Sequence, residues 1–168
     1  AASWTPDGRD LVYTAERPLY EVWRRVADAS QPPSRLIGGD YDRRVSDISQ
    51  DSRFVAIGSS PANGQALAFV ALTGKPDERA YLSGVRNAGK GVFSPDARWM
   101  AYQSDESGRA EVYLQSFPDP ARGRWKVSTD GGSEPLWTRN GREIVYRERD
   151  AVMAVTVDPD RQQIGAPR

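Results

Sequence analysis

Neither cysteine nor histidine occurs among the 168 residues. Their joint absence removes disulfides, ordinary zinc sites, cysteine nucleophiles and Ser-His-Asp triads from this chain. It also leaves the redox compartment undetermined. Neither sign of charge is in excess, because Lys+Arg and Asp+Glu both count 23 and the net charge is zero. Nucleic-acid and anionic-membrane surfaces need a basic surplus, so neither is expected here. No apolar run approaches the roughly 20 residues of a membrane span, and no charged-then-apolar targeting segment opens the chain. Membrane insertion is therefore not expected. What is present is a chain long enough for one domain with a real core. Its 15 Gly and 12 Pro are spread at turn spacing rather than gathered in a disordered block.

One phrase is written four times. TPDGRDLVY at Thr5 to Tyr13, SQDSRFVAI at Ser49 to Ile57, SPDARWMAY at Ser94 to Tyr102 and TRNGREIVY at Thr138 to Tyr146 align on Asp7, Asp51, Asp96 and Asn140. These anchors recur at intervals of 44, 45 and 44 residues. Two residues after each stands an arginine: Arg9, Arg53, Arg98 and Arg142. Three residues before stands a large apolar residue: Trp4, Ile48, Phe93 or Trp137. Five residues after, the side chain is small or β-branched (Val12, Ala56, Ala101, Val145), and six after it is Tyr13, Ile57, Tyr102 or Tyr146.

The phrase has a local mechanism. A Ser or Thr caps the turn, Pro presets φ, an acid bonds its own backbone and Gly takes positive φ. Only the first and fourth copies keep that glycine, as Gly8 and Gly141; Ser52 and Ala97 replace it elsewhere. Those two turns must change geometry or hold a side chain at positive φ. The run after each turn is short and rich in aromatic and β-branched residues, which is a strand signature. A period of about 40–45 residues carrying four short strands is the signature of a propeller blade.

At this point the residues resemble a known family. Phe93 to Leu114 is similar, almost throughout, to the TolB-type, WD-like β-propeller repeat, and Trp4 to Tyr13 is similar to its first half. The resemblance implies an all-β fold, a β-propeller segment of about four blades. Each blade would be a four-stranded antiparallel sheet, with the first and last incomplete. The single domain spans 1–168, with blades at about 1–44, 45–88, 89–132 and 133–168. In the third blade the fourth strand is expected from Trp125; the same offset in the fourth blade falls one residue past Arg168, so that strand is expected to be missing. The chain is therefore expected to be part of a larger propeller. Its exposed blade faces would favour self-association, for instance two chains completing an eight-bladed ring.

No residue stands out as catalytic, metal-binding or ligand-binding, and no cofactor is implied. Asp105 and Glu106, with Ser107, Gly108 and Arg109, read as a solvated hairpin loop rather than a cation or substrate contact. Asp130-Gly131-Gly132 reads as a turn between blades, with an anion nest as the alternative. Asp7, Asp51 and Asp96 are accounted for as turn residues rather than a metal ring, and the paired arginines as their charge partners. Trp4, Phe93, Trp137 and the column tyrosines are expected in the core. Trp23 and Trp99 fall outside the main column and are expected as surface anchors. Ser59 lacks both the nucleophile-elbow context and a histidine.

The expected function is a non-catalytic binding or sensing scaffold within a larger bacterial protein. Its protein or peptide partner would lie over the central channel or the loops at the blade tops. The resemblance alone favours a periplasmic or extracytoplasmic location. The alternatives are the substrate-gating propeller of a prolyl oligopeptidase-type serine hydrolase and a TolB-like translocation accessory; in all three this chain is not itself an enzyme.

Overall fold

A computed structural model describes residues 1–16, 18–61, 64, 66–74, 76–82, 87–161 and 163–168. They form four antiparallel sheets of four strands, each a meander in which sequence neighbours pair. The first sheet runs β1 (Ala2–Trp4), β2 (Asp10–Glu16), β3 (Tyr20–Val26) and β4 (Ser34–Ile37). The second runs β5 (Asp42–Ile48), β6 (Phe54–Ser60), β7 (Ala66–Ala71) and β8 (Glu78–Ala80). The third runs β9 (Gly89–Phe93), β10 (Trp99–Ser104), β11 (Glu111–Ser116) and β12 (Arg124–Lys126). The fourth runs β13 (Ser133–Trp137), β14 (Glu143–Glu148), β15 (Ala151–Asp158) and β16 (Gln163–Ile164). The turn expected at 59–64 falls partly on residues 62 and 63, outside the described residues.

The fourth sheet corrects an expectation, because its outer strand is present. It comes early because a two-residue connection joins Glu148 to Ala151, where the third sheet spends residues 105–110 on the equivalent loop.

The four turns behave as their chemistry demands. The hydroxyls of Thr5, Ser49, Ser94 and Thr138 donate to the side chains of Asp7, Asp51, Asp96 and Asn140 at 2.6, 2.6, 2.6 and 2.8 Å. The same side-chain oxygens accept the backbone N–H two residues on, at 3.0–3.1 Å. Gly8 and Gly141 sit at φ +71° and +67°, and Ser52 and Ala97 hold the same conformation at +56° and +53°. The arginines pair with the turn acids at 3.9 Å in the first two copies and at 2.7 Å for Arg98 with Asp96.

Three apolar seams hold consecutive sheets together. Between the first and second sheets, Val12, Val22 and Leu36 meet Ile48, Val55, Ile57 and Val70. Between the second and third, Ala56, Leu67 and Phe69 meet Phe93, Met100 and Tyr102. Phe117 joins that seam with its ring centroid 4.9 Å from those of Phe69 and Phe93 and 5.1 Å from that of Phe54. Between the third and fourth, Ala101, Val112 and Leu114 meet Ile144, Tyr146 and Val155. Alternation along each strand sends one residue to the preceding sheet and the next to the following one.

Three aromatic expectations need correcting. Trp4 is 56% exposed rather than core, because none of the described sheets packs on the face it occupies. Trp99 is half-buried, its ring 5.4 Å from Trp125 at the edge of the third seam, so it is a packing residue rather than a surface anchor. Trp23 is half-buried as well, and its indole N–H donates to Glu21 at 3.1 Å.

Candidate functional site

The first strands of consecutive sheets, β1, β5, β9 and β13, adjoin one another and form the inner wall of the fold. Each is an edge of its own sheet, so one side of its backbone is unpaired within that sheet. In β5, β9 and β13 the pairing to the second strand breaks register, near Ser46, Lys90 and Glu134. Lys90 and Glu134 occupy equivalent places six residues before their turn anchors, and both stand at φ +53°. A β-bulge of this kind turns a side chain out of the pleat, and both side chains are exposed.

The bulges border a cleft of about 700 Å³ lined by Arg44, Ser46, Ser59, Ser60, Lys90 and Gln103, among others. A smaller groove of about 440 Å³ shares Ser46 and Lys90 and continues over Glu134, Leu136, Tyr146 and Val152. Lys90 Nζ lies 4.0 Å from Glu134 Oε1. The Glu134 N–H donates to Gln103 Oε1 at 3.4 Å, and the Val45 N–H donates to Thr14 Oγ1 at 3.1 Å. Arg44 stacks its guanidinium 4.0 Å from the Tyr20 ring centroid and pairs with Asp42 at 3.8 Å. Beneath the wall, Asp47 accepts the Phe93 N–H at 2.8 Å, and burial pushes its carboxyl above the usual range. Burial pushes the Tyr146 hydroxyl, which has no hydrogen-bond partner among the described residues, up to about 12. It therefore stays protonated at neutral pH, and the wall offers a mixed set of donors and acceptors with both signs of charge.

A second cleft, about 710 Å³, lies between the turn of the third sheet and the turn and last connection of the fourth. Arg98 spans it, donating to Asp96 at 2.7 Å and to both carboxylate oxygens of Asp160 at 2.8 and 3.0 Å. Those two carboxylates raise the guanidinium further above its usual range. Trp99 and Trp137 line this cleft with their indole N–H groups buried and unpartnered among the described residues.

The acidic loop and the Gly-Gly turn meet one another. Arg109 donates to Glu111 at 2.7 Å, to Asp130 at 2.7 Å and to the Thr129 carbonyl at 2.7 Å. The buried Glu111 carboxylate also takes Lys126, the Ser128 hydroxyl and the Gly131 N–H. The Gly132 N–H goes to the Ala110 carbonyl at 2.9 Å, so both amides of the candidate nest are taken by the chain itself. Asp105 accepts from Asn87 at 2.6 Å, and Glu106 pairs with Arg124. The Ser59 hydroxyl donates to the Ala66 carbonyl at 3.3 Å. Sequence reasoning missed Lys90 and Glu134; the Gly89-Lys90-Gly91 context is the one local signal of the first, and nothing local marks the second.

No family model matches the chain, and no curated protein matches it. Among solved structures, a putative TolB from Agrobacterium tumefaciens is similar over 97% of this chain and 62% of its own, with 14% identity and a TM-score of 0.77. TolB from Acinetobacter baumannii is similar over 98% of this chain and 42% of its own, with 12% identity and a TM-score of 0.75. One of two prolyl endopeptidases studied for inter-domain dynamics in catalysis and specificity is similar over 94% of this chain and 26% of its own. There the identity is 14% and the TM-score 0.67. The chain thus spans less than two thirds of the length of each. Four meandering sheets joined face to face, with these neighbours, give the chain the TolB-type β-propeller fold.

Proposed function

We propose that the chain is a non-catalytic binding scaffold that takes a protein or peptide segment, in extended form, along its inner wall. The observation that carries this reading is the pair of equivalent bulges at Lys90 and Glu134. Each holds a non-glycine residue at positive φ, a conformation that costs about 1–3 kcal/mol and tends to persist where a side chain must be presented. The edges of β5, β9 and β13, unpaired within their own sheets except where the Val45, Phe93 and Glu134 N–H groups bond neighbouring side chains, offer backbone donors and acceptors to an added strand, and Arg44, Lys90 and Glu134 offer charge contacts beside them. A peptide is favoured over nucleic acid because the 23 basic and 23 acidic residues leave no basic surplus. The neighbours include parts of peptidases, so the absence of turnover is itself part of the proposal.

The test is to pan a random peptide display library on the immobilised chain, with the doubly reversed Lys90→Glu, Glu134→Lys variant as control. Enrichment of extended peptides on the native chain and its loss on the variant is the expected result. Equal enrichment on both, or hydrolysis of chromogenic ester or peptide substrates by the pure chain, would refute the reading.

A further inference from the structure

The fourth repeat turn differs from the other three in the functional group at its anchor, and that group stands in a reactive context. Asp7, Asp51 and Asp96 place a carboxylate 3.9, 3.9 and 2.7 Å from the arginine two residues on. The fourth turn has the carboxamide of Asn140 instead, and Arg142 has no ion-pair partner among the described residues. Glycine follows in Asn140-Gly141, so no side chain hinders the approach of the Gly141 nitrogen to the carboxamide carbon. Asn140 and Arg142 are both exposed, which admits water. The first turn shows what an acid at this place builds. Thr5-Pro6-Asp7-Gly8-Arg9 matches Thr138-Arg139-Asn140-Gly141-Arg142. Its glycine stands at φ +71° against +67°, and its threonine hydroxyl donates to the anchor oxygen at 2.6 Å against 2.8 Å.

We propose that Asn140 is a deamidation site, held off in the folded chain by its own turn, whose aspartate product completes the acid–arginine pair that the other three turns possess. The Gly141 nitrogen, after losing its proton to solvent base, attacks Asn140 Cγ. A bond forms between them, the Cγ–Nδ2 bond breaks, and the side-chain nitrogen leaves as ammonia. Water then opens the cyclic imide, at one carbonyl to give aspartate and at the other to give isoaspartate, whose main chain runs through the side chain. The net exchange consumes water and releases ammonia, with no other reactant. The folded turn opposes ring closure at both reacting groups. The Gly141 N–H donates to the Thr138 carbonyl at 2.9 Å. Asn140 Oδ1 accepts the Thr138 hydroxyl at 2.8 Å and the Arg142 N–H at 3.0 Å. These bonds hold the carboxamide toward Arg142 and away from the Gly141 nitrogen, so closure waits for the turn to open. Aspartate keeps the acceptor that both donors use, as Asp7 does for Thr5 and Arg9; isoaspartate lengthens the main chain and displaces it.

The test incubates the folded chain and the urea-unfolded chain side by side in mildly alkaline buffer, and peptide mapping by mass spectrometry reads the amide-to-acid increment at Asn140. Asn63, which also precedes glycine, lies outside the described residues and is read separately in the same map. Conversion of Asn140 is expected in urea and is expected to be about 10-fold or more slower in the folded chain, where the turn's hydrogen bonds must first be released. Thr138→Val removes the hydroxyl at similar size; it is expected to keep the native far-ultraviolet circular dichroism and to speed folded-state conversion about 5-fold. Asn140→Asp makes the product directly and is expected to show a urea midpoint at neutral pH no lower than the native one. Equal rates in the folded and unfolded chains, no conversion of Asn140 in urea, or a Thr138→Val chain that converts no faster overturns the proposal. So does an Asn140→Asp chain less stable than the native one.

Discussion

The four repeat turns allow a matched experiment on backbone strain, because the same conformation is held by glycine twice and by a side-chain residue twice. Ala97 sits at φ +53°, where an L-residue pays about 1–2 kcal/mol for crowding its Cβ against the following carbonyl. Replacing it with glycine removes that strain but loosens the unfolded chain, a loss of about 0.4–1 kcal/mol. Ala97→Gly is therefore expected to stabilise by about 1 kcal/mol net, raising Tm by about 2–4 °C for a chain of this size. Ser52→Gly gains the same relief but loses the Ser52 hydroxyl that accepts the Asp7 N–H at 3.2 Å. An exposed bond of that kind is worth about 0.5 kcal/mol, so the net gain is about half as large. The reverse changes, Gly8→Ala and Gly141→Ala, are expected to cost about 1 kcal/mol each. At Gly8 an added Cβ meets nothing within 4 Å, so only strain is measured there. Urea unfolding followed by tryptophan fluorescence reads all four variants. An Ala97→Gly chain no more stable than the native one, or a neutral Gly8→Ala, would refute the reasoning.

Phe117→Ala opens a hole among four aromatic rings and is expected to cost about 3–5 kcal/mol in urea midpoint-derived stability. Burial raises the Asp47 carboxyl above its ordinary 3.8, so the ionised side chain weakens the fold at neutral pH, and the penalty fades as pH falls through the folded-state value. Asp47→Asn keeps an oxygen for the Phe93 N–H; it is expected to raise stability at pH 7 and to lose that advantage below the ordinary value of 3.8, as a pH series of urea midpoints would show. Burial pushes Glu111 up, but bonds from Ser128, Arg109 and Lys126 outweigh it and hold the carboxyl below its ordinary 4.5. Its stabilisation is therefore present above 4.5 and lost as pH falls through the folded-state value. Glu111→Gln is expected to cost about 1–3 kcal/mol at neutral pH and to flatten the acid limb of the same titration.

The turn chemistry was legible from the residues because it is local: a Ser or Thr, an acid and an arginine within five positions fix their own hydrogen bonds. The seam columns were legible for the same reason, since the period of two along a strand assigns each residue to a face. Trp4 was misassigned because burial belongs to the neighbour as much as to the residue, and none of the described sheets covers its face. Trp99 was misassigned because its partner Trp125 lies 26 positions away on another strand. The early outer strand of the fourth sheet depended on a connection length that the alignment of turns did not constrain. The site was least legible, since Lys90 and Glu134 take positive φ without glycine, and only the register break across the strand pair explains them.

Every strand in this chain pairs with the strand next to it in sequence, and every seam joins consecutive sheets. Nearly all stabilising contacts therefore close loops shorter than one or two repeats, which is unusual for an all-β chain. Loop-closure entropy is low at each step, so any of the four meanders can nucleate and recruit its neighbour, with the ordered region growing in either direction. Folding of this molecule should accordingly be faster than its β content suggests, and fastest through the second and third sheets, which the aromatic seam around Phe117 joins.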